Sequence, residues 1–319
     1  MSAHAGPAIL PLIASKDFIS VLDLTHAELE LLLELAASMK QDRIAGRTGR
    51  RPLEGKHVAL LFEKPSLRTR ITFVVAVHEL GGHVIEPPPD VVFGGREAVE
   101  DVAKNLERWI EGVIVRTFAQ TGLAAFAEAA PRMHVVNALT NEEHPCQVLA
   151  DLFTLKERIG PLKGRTLAYV GDGNNVATSL TQASVMLGMN VRLGSPKGFA
   201  LKEDALEACR RVAAYGATIS TTTDPVAAVT GADAVYTDVW TSMGQEKELA
   251  KRGRVFPAYQ VNETLMAAAG RDAFFMHCLP AHRGAEVTDA VMDAPTSLVF
   301  DQAENRLHTQ KALLALLMG

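Results

Sequence analysis

The sequence predicts an α/β protein of two domains, each built on a parallel sheet flanked by helices. Three observations lead there. Short apolar runs rich in β-branched residues alternate with longer stretches of helical period, the signature of βα units. The 319 residues exceed what one hydrophobic core usually organises, since about 150 residues is a common domain size. Hydrophobic residues at 48% and charged residues at 22% match packed globular chains and exclude disordered, collagen-like and coiled-coil architectures.

Taken in order, the elements begin with a helix that has Thr25 as its N-cap and Leu29, Leu32, Leu33 and Ala36 on one face. The first strand is His57 to Phe62, followed by a loop and a helix ending at Gly81-Gly82. Further strands are expected at 113–115, 134–136, 166–170, 191–193, 234–236, 274–276 and 298–300. His144 to Ile159 forms one helix, and Gly160-Pro161-Leu162-Lys163-Gly164 breaks it before a fresh strand. The junction lies in this region, with residues 1–147 as the first domain and 148–302 as the second. Ala303 to Met318 carries Leu307, Ala312, Leu313 and Leu316 close to helical spacing and makes a last amphipathic helix.

Charge and cysteine content narrow the function classes. Lysine and arginine number 32 against 37 aspartates and glutamates, a net charge of −5, so no bulk positive field exists to hold nucleic acid or an anionic membrane. An anionic ligand must therefore be held by a local cluster. Cys146, Cys209 and Cys278 are too few and too odd in number for a disulfide framework and suit a reducing compartment. The short apolar stretch Ala8 to Ala14 has no basic region before it, and no apolar run approaches the roughly 18 residues of a membrane span. A cytoplasmic location without membrane contact is the expectation.

Six short segments carry chemistry, most of them where a predicted strand ends. Ser66-Leu67-Arg68-Thr69-Arg70 lies between a strand and a helix, where backbone N–H groups, hydroxyls and guanidinium forks suit phosphate oxygens. A capped helix with solvated arginines is the structural alternative. The Gly-x-x-x-x-Gly-Lys nucleotide loop is missing, so a small phosphorylated molecule is implied. Arg116-Thr117 and His144-Pro145-Cys146-Gln147 bring an arginine, an imidazole and an amide that can converge on one carbonyl and polarise it. Asp238, with Ser242-Met243-Gly244 after it, suits a cationic amine, although Asp238 is equally placed to cap the following segment. His277-Cys278-Leu279-Pro280 follows the next strand. His-x-Cys and His-Cys fit zinc-ligand spacings poorly, so no metal is expected. Gly171-Asp172-Gly173-Asn174-Asn175 lacks the third glycine of a dinucleotide fingerprint because Val176 stands there, and Asn174 and Asn175 instead offer amides to a substrate carboxylate.

With these segments in this order and spacing, the chain resembles the aspartate/ornithine transcarbamoylase family over nearly its whole length, and its ornithine branch in particular. Glu304-Asn305-Arg306 in the last helix fits the same pattern. The resemblance implies transfer of the carbamoyl group of carbamoyl phosphate to the δ-amine of L-ornithine, giving L-citrulline and phosphate without any cofactor. It implies that the phosphate sits against Ser66, the Leu67 backbone, Arg68 and Thr69. Thr69, Arg116 and His144 would face the carbamoyl oxygen, and Gln147 the carbamoyl nitrogen. Asn175, Asp238, Ser242 and the Met243 backbone would hold the amino-acid end of ornithine. Cys278 and the Leu279 carbonyl would lie beside the attacking amine, and Arg306 would reach across toward carbamoyl phosphate. Arg116, His144 and Cys278 carry the catalytic roles. The C-terminal helix 303–319 would return to the first domain, and the chain would assemble as a homotrimer or a multiple of trimers.

Two departures from the family pattern stand out. Leu67 replaces a threonine in the phosphate motif, which removes a hydroxyl and keeps the backbone N–H. Asp90 to Glu97, matching a loop that reaches a neighbouring subunit's site, is unusually apolar and glycine-rich. Among second substrates, Ser242-Met243-Gly244 favours ornithine. Putrescine leaves the polar groups for the α-carboxylate and α-ammonium unmatched, and aspartate calls for a cation where Asp238 stands. N-acetylornithine and a non-catalytic anion-binding role are the remaining rivals.

Overall fold

The computed structural model describes residues 12–47, 49–88, 97–241 and 249–319. Its strands form two all-parallel sheets. The first contains β1 (His57–Phe62), β2 (His83–Ile85), β3 (Gly112–Arg116) and β4 (His134–Leu139) in the spatial order β2-β1-β3-β4. Around it lie α1 (His26–Ile44), α2 (Arg68–Glu79), α3 (Val99–Leu106) and α4 (Gln120–Ala129). Helix α5 (Pro145–Ile159) leads to the second half. There β5 (Thr166–Val170), β6 (Asn190–Gly194), β7 (Ile219–Thr222), β8 (Ala234–Thr237) and β9 (Phe274–His277) take the order β7-β6-β5-β8-β9. Helices α6 (Asn175–Met186), α7 (Glu203–Val212), α8 (Pro225–Val229), α9 (Leu249–Val255), α10 (Glu263–Ala269) and α11 (Asp289–Met292) complete that half, and α12 (Val299–Met318) closes the described chain.

Strand alternation explains why both faces of each sheet are covered. In β1, Val58, Leu60 and Phe62 enter one core while Ala59 and Leu61 enter another on the opposite face. In β5, Leu167 and Tyr169 point to the first of these cores and Ala168 and Val170 to a third. The expected helix α1 starts on its expected Thr25 cap, and Glu28 completes a capping box, with Thr25 Oγ1 accepting from the Glu28 N–H at 3.2 Å and the Glu28 carboxylate accepting from the Thr25 N–H at 2.7 Å. Its Leu29, Leu32, Leu33 and Ala36 are all buried. Gly160, at φ 73°, ends α5 as its sequence implies.

Two strands escaped the sequence reading, and one expected strand is a helix. Both missed strands are sheet edges: β2, His83-Val84-Ile85, is only three residues long, and β7, Ile219-Ser220-Thr221-Thr222, is mostly polar, so neither shows a long apolar run. Leu298-Val299-Phe300 reads as a strand because three apolar residues do not reveal their period. The chain touches the β9 edge only through Thr296, Ser297 and Leu298, with Phe275 N–H donating to Thr296 O at 3.0 Å and Leu298 N–H to Phe275 O at 2.9 Å. It then turns into α12, which buries Val299 and leaves Phe300 exposed.

Helix α12 follows the second sheet in sequence yet packs against α5, α1 and α2. Leu313, Leu314 and Leu316 are buried in the large core that these helices share with β1. The return of the C-terminal helix to the first half is thus observed, starting four residues earlier than its periodicity suggests. Leu313→Ala should cost about 2–5 kcal/mol, read as a lower urea midpoint at unchanged slope; a loss under about 0.5 kcal/mol would mean that α12 is not part of the cooperative core.

Candidate active site

In each sheet the strand order reverses beside the strand that opens it, at β1/β3 and at β5/β8. Loops leaving such a switch point diverge and leave a crevice at the carboxyl ends of the strands. Here the loops after β1, β3, β5, β8 and β9 contribute to a single cleft of about 1350 Å3. Gly173 shapes the loop after β5: a Cβ there would come within 2.3 Å of the Leu201 backbone nitrogen, so only glycine fits.

Ser66, Leu67, Arg68 and Thr69 line this cleft where α2 begins. Leu67 is the N-cap residue and no side chain caps the helix, so its first N–H groups lack a side-chain acceptor. Arg116 ends β3, His144 precedes α5, and Arg306 arrives from α12, its guanidinium donating to Thr69 Oγ1. Arg116, His144 and Arg306 are buried. Among the described residues no carboxylate lies at ion-pair distance from Arg68, Arg116 or Arg306. The Nε atoms of Arg116 and Arg306 and the Nδ1 of His144 have no hydrogen-bond partner. Burial, then the Arg306 charge, brings the Arg116 guanidinium down to about 10. Burial followed by Arg306, Arg116 and Arg68 holds the His144 imidazole well below its ordinary value, and it is neutral near pH 7. Buried cations without a carboxylate are costly unless an anion completes them, so this wall is an anion cradle beside a neutral imidazole.

The opposite wall carries Asn174, Asn175, Asp238, Cys278 and Leu279. Cys278 Sγ donates to Asp238 Oδ1 at 3.0 Å, and burial followed by the Asp238 charge keeps the thiol protonated, well above its ordinary value. A protonated thiol is a poor nucleophile, which fits direct attack by a substrate amine on a ready-made electrophile. His277 adds a third ligand-type atom within 4.8 Å of those of Asp238 and Cys278. Both its nitrogens already face protein groups: Nδ1 accepts from the Leu279 N–H at 2.9 Å and Nε2 lies 3.3 Å from Glu286 Oε1. Within the trio Cys278 and Asp238 are hydrogen-bonded with the thiol proton in place, and His277 is turned to Leu279 and Glu286.

Several expectations change at this point. Asn174 caps α6, its Oδ1 accepting from Val176 and Ala177, and its Nδ2 donates to Asp238 Oδ2 at 2.6 Å. Its amide is committed to the protein, an outcome the sequence hides because an asparagine before a helix is equally a cap and a ligand group. Asn175 lines the cleft and donates across it to Thr140 O at 2.7 Å. Arg70 turns away to Glu86 and stacks on Phe62 at 5.4 Å. Gln147 is buried one helical turn behind His144 and does not line the cleft itself. Ser242, Met243 and Gly244, and all of Asp90 to Glu97 except Glu97, lie outside the described residues.

Two contributors were missed. Lys64 lines the cleft, donates to Asn141 Oδ1 at 2.7 Å and sits 4.3 Å from the Phe118 ring centre; its place beside Ser66 was the available signal. Glu143 joins the halves, accepting from Ser20 at 3.0 Å and from Ser179 of α6 at 3.2 Å, and burial pushes its carboxyl up.

Two parallel sheets meeting at a cation cluster with no carboxylate at ion-pair distance among the described residues define a transferase-like site for a small phosphorylated molecule, and comparison with known proteins agrees. Residues 16–157 match the carbamoyl-P binding domain of aspartate/ornithine carbamoyltransferase and residues 163–317 match its Asp/Orn binding domain. The chain belongs to the aspartate/ornithine carbamoyltransferase family. Within that family its relatives include the ornithine carbamoyltransferase of Thermosynechococcus vestitus, 47% identical over 98% of this chain and 99% of the relative. That of Symbiobacterium thermophilum is 48% identical over 95% and 98%. Among solved structures, ornithine carbamoyltransferase from Pyrococcus furiosus superposes with a TM-score of 0.93 at 43% identity, covering 97% of this chain and 99% of that one. The enzyme from Thermus thermophilus gives 0.85 at 45%, over 96% and 99%.

The thiols give a direct check on this electrostatic picture. Burial also pushes Cys146 and Cys209 up to about 12. Iodoacetamide at pH 8 should therefore label all three cysteines at least about tenfold more slowly than a free cysteine. Rapid single-site labelling at Cys278, seen by peptide mass spectrometry, would mean that the thiolate is present after all.

Proposed function

We propose that this chain transfers the carbamoyl group of carbamoyl phosphate to the δ-amine of L-ornithine, giving L-citrulline and phosphate. The observation that carries the reading is the cluster of buried Arg116 and Arg306 with half-buried Arg68, which has no carboxylate at ion-pair distance among the described residues, beside a neutral His144. The family membership and the ornithine carbamoyltransferase relatives support it.

In this proposal the phosphate rests on Ser66, the Leu67 backbone, Arg68 and Thr69. Thr69, Arg116 and His144 hold the carbamoyl oxygen and Gln147 the nitrogen. Asn175 would exchange its bond to Thr140 O for one to the ornithine carboxylate, and Asp238, Ser242 and the Met243 backbone complete that end. Cys278 and the Leu279 carbonyl flank the δ-amine. The neutral amine attacks the carbonyl carbon and negative charge gathers on the carbamoyl oxygen, where Arg116 and a neutral His144 donor stabilise it. The C–O bond then breaks, and phosphate leaves toward Arg68 carrying the proton lost by the amine. No step requires a cofactor. The proposal extends to a cytoplasmic homotrimer or multiple of trimers, checked by analytical ultracentrifugation: a species of one chain's mass would count against it.

The central test is citrulline formation from carbamoyl phosphate, with putrescine, N-acetylornithine and aspartate as parallel amines. Product from ornithine alone is expected, and Arg68→Ala or Arg116→Ala should lower kcat/KM on the order of 100- to 1000-fold. Phosphate release without any product, or product from another amine, would overturn the substrate assignment.

The pH profile has a defined shape. Free ornithine's δ-amine titrates near the lysine value of about 10.4, so kcat/KM should rise from pH 6 to 9 as the neutral form grows. It should then fall near pH 10, where Arg116 begins to lose its charge. A flat profile from about pH 6 to 9 contradicts attack by the neutral amine.

A further inference from the structure

Beneath the cleft lies a buried polar cluster that none of the site residues explains. Asp151 is fully buried on α5, one turn after Gln147, and every group facing it is a donor. Gln147 Nε2 and Gln302 Nε2 each donate to Asp151 Oδ1 at 2.8 Å, and the Tyr236 hydroxyl donates to Oδ2 at 2.9 Å. The orientation of Gln302 follows from a backbone group, because its Oε1 accepts from the His277 N–H at 3.0 Å. Burial pushes the Asp151 carboxyl up to about 6, which still leaves it ionised at neutral pH.

An ionised carboxylate only accepts hydrogen bonds. Gln147 must therefore turn its NH2 end to Asp151, and its Oε1 is buried with no hydrogen-bond partner. That oxygen is carried in the first turn of α5, directly after His144, which precedes the helix and lines the cleft. An amide free to rotate would offer NH2 as readily as oxygen. A carbamoyl group differs from an acetyl group by an NH2, a donor, in place of a methyl, so an acceptor fixed in place separates the two.

We infer that Asp151 is a positioning residue that locks the Gln147 amide with its oxygen outward, and that this lock selects carbamoyl phosphate over acyl phosphates lacking the NH2. The inference rests on the proposed reaction and on Gln147 meeting the carbamoyl nitrogen. Through Gln302 and Tyr236 the same carboxylate also ties that end of the site to the strand ends bearing Cys278 and Asp238.

The test measures the KM for carbamoyl phosphate and the competitive Ki for acetyl phosphate in the wild-type enzyme and in Asp151→Leu, Asp151→Asn and Gln147→Leu. The ratio of the two constants reports on the folded fraction alone, so partial misfolding does not disturb it. Asp151→Leu is expected to raise the carbamoyl phosphate KM about tenfold or more and to leave the acetyl phosphate Ki within about twofold. Asp151→Asn, which keeps an acceptor for the Gln147 and Gln302 amides, should retain most of the discrimination. In a Gln147→Leu background Asp151→Leu should change the ratio no further. If the leucine variant does not fold, Asp151→Ala removes the same acceptor with less bulk.

Equal loss for both phosphates, or Asp151→Asn as damaging as Asp151→Leu, would make Asp151 a merely structural residue and overturn the inference. A wild-type enzyme that makes no citrulline would instead overturn the proposed reaction. An unchanged ratio in Gln147→Leu alone, with citrulline still formed, would remove Gln147 from the carbamoyl contact and the inference with it.

Discussion

The architecture depends on keeping Arg116 and Arg306 out of water beside the half-buried Arg68, with no carboxylate at ion-pair distance among the described residues. Mutual repulsion and desolvation both oppose this, at several kcal/mol for each buried ion. The protein meets that penalty with rigidity. Each guanidinium is rooted in a different element, the start of α2, the end of β3 and the middle of α12, and each element is pinned by a large apolar core. An acidic neighbour would relieve the strain on the fold and fill the place of the ligand. Leaving the cluster incomplete is what makes it a binding site, and burial together with the cluster's charge keeps His144 a neutral donor.

The second constraint is that two sheets must present their open ends to each other. A handful of hydrogen bonds set this spacing. His144 N–H donates to Ser179 Oγ at 3.0 Å, Asn175 Nδ2 to Thr140 O at 2.7 Å, and Ser179 Oγ to Glu143 at 3.2 Å. All of them join the loop after β4 or the start of α5 to α6. Because α5 also carries Gln147 and Asp151, and Asp151 is held by Tyr236 of β8 and Gln302 of α12, one helix transmits the register of each half to the other. Bonds to groups on α6, β8 and α12 leave little freedom for the helix to shift without breaking several of them at once.

Much of this was legible in the sequence, for identifiable reasons. The strands β1, β3, β4, β5, β6, β8 and β9 are largely buried and so read as apolar runs, whereas the three-residue edge β2 and the polar edge β7 carry no such mark. The residues of the cleft were found because chemistry-bearing side chains at strand exits of a parallel sheet can only point to one end of it. Arg306 shows the limit. Nothing local in α12 distinguishes an arginine that crosses to another domain from a solvated one, and only the resemblance to the family placed it. Asn174 and Gln147 show another, since the partner of an amide is a matter of three-dimensional company. Asn174 spends its groups on the α6 cap and Asp238, and Gln147 spends its donor on Asp151.

The return of α12 has a consequence in time. Synthesis runs at roughly 5–20 residues per second from the N-terminus, and domains generally fold as units while it proceeds. The first half of this protein emerges early with β1 to β4 in place, yet the helix that covers its core and delivers Gln302 and Arg306 is made only after the whole second sheet. During that interval the α1, α2 and α5 surfaces have no lid, and the cleft has neither its third guanidinium nor the clamp on Asp151. A chain halted before residue 299 would thus carry an exposed apolar face in place of a working site, which marks aborted products for removal by the machinery that recognises such faces.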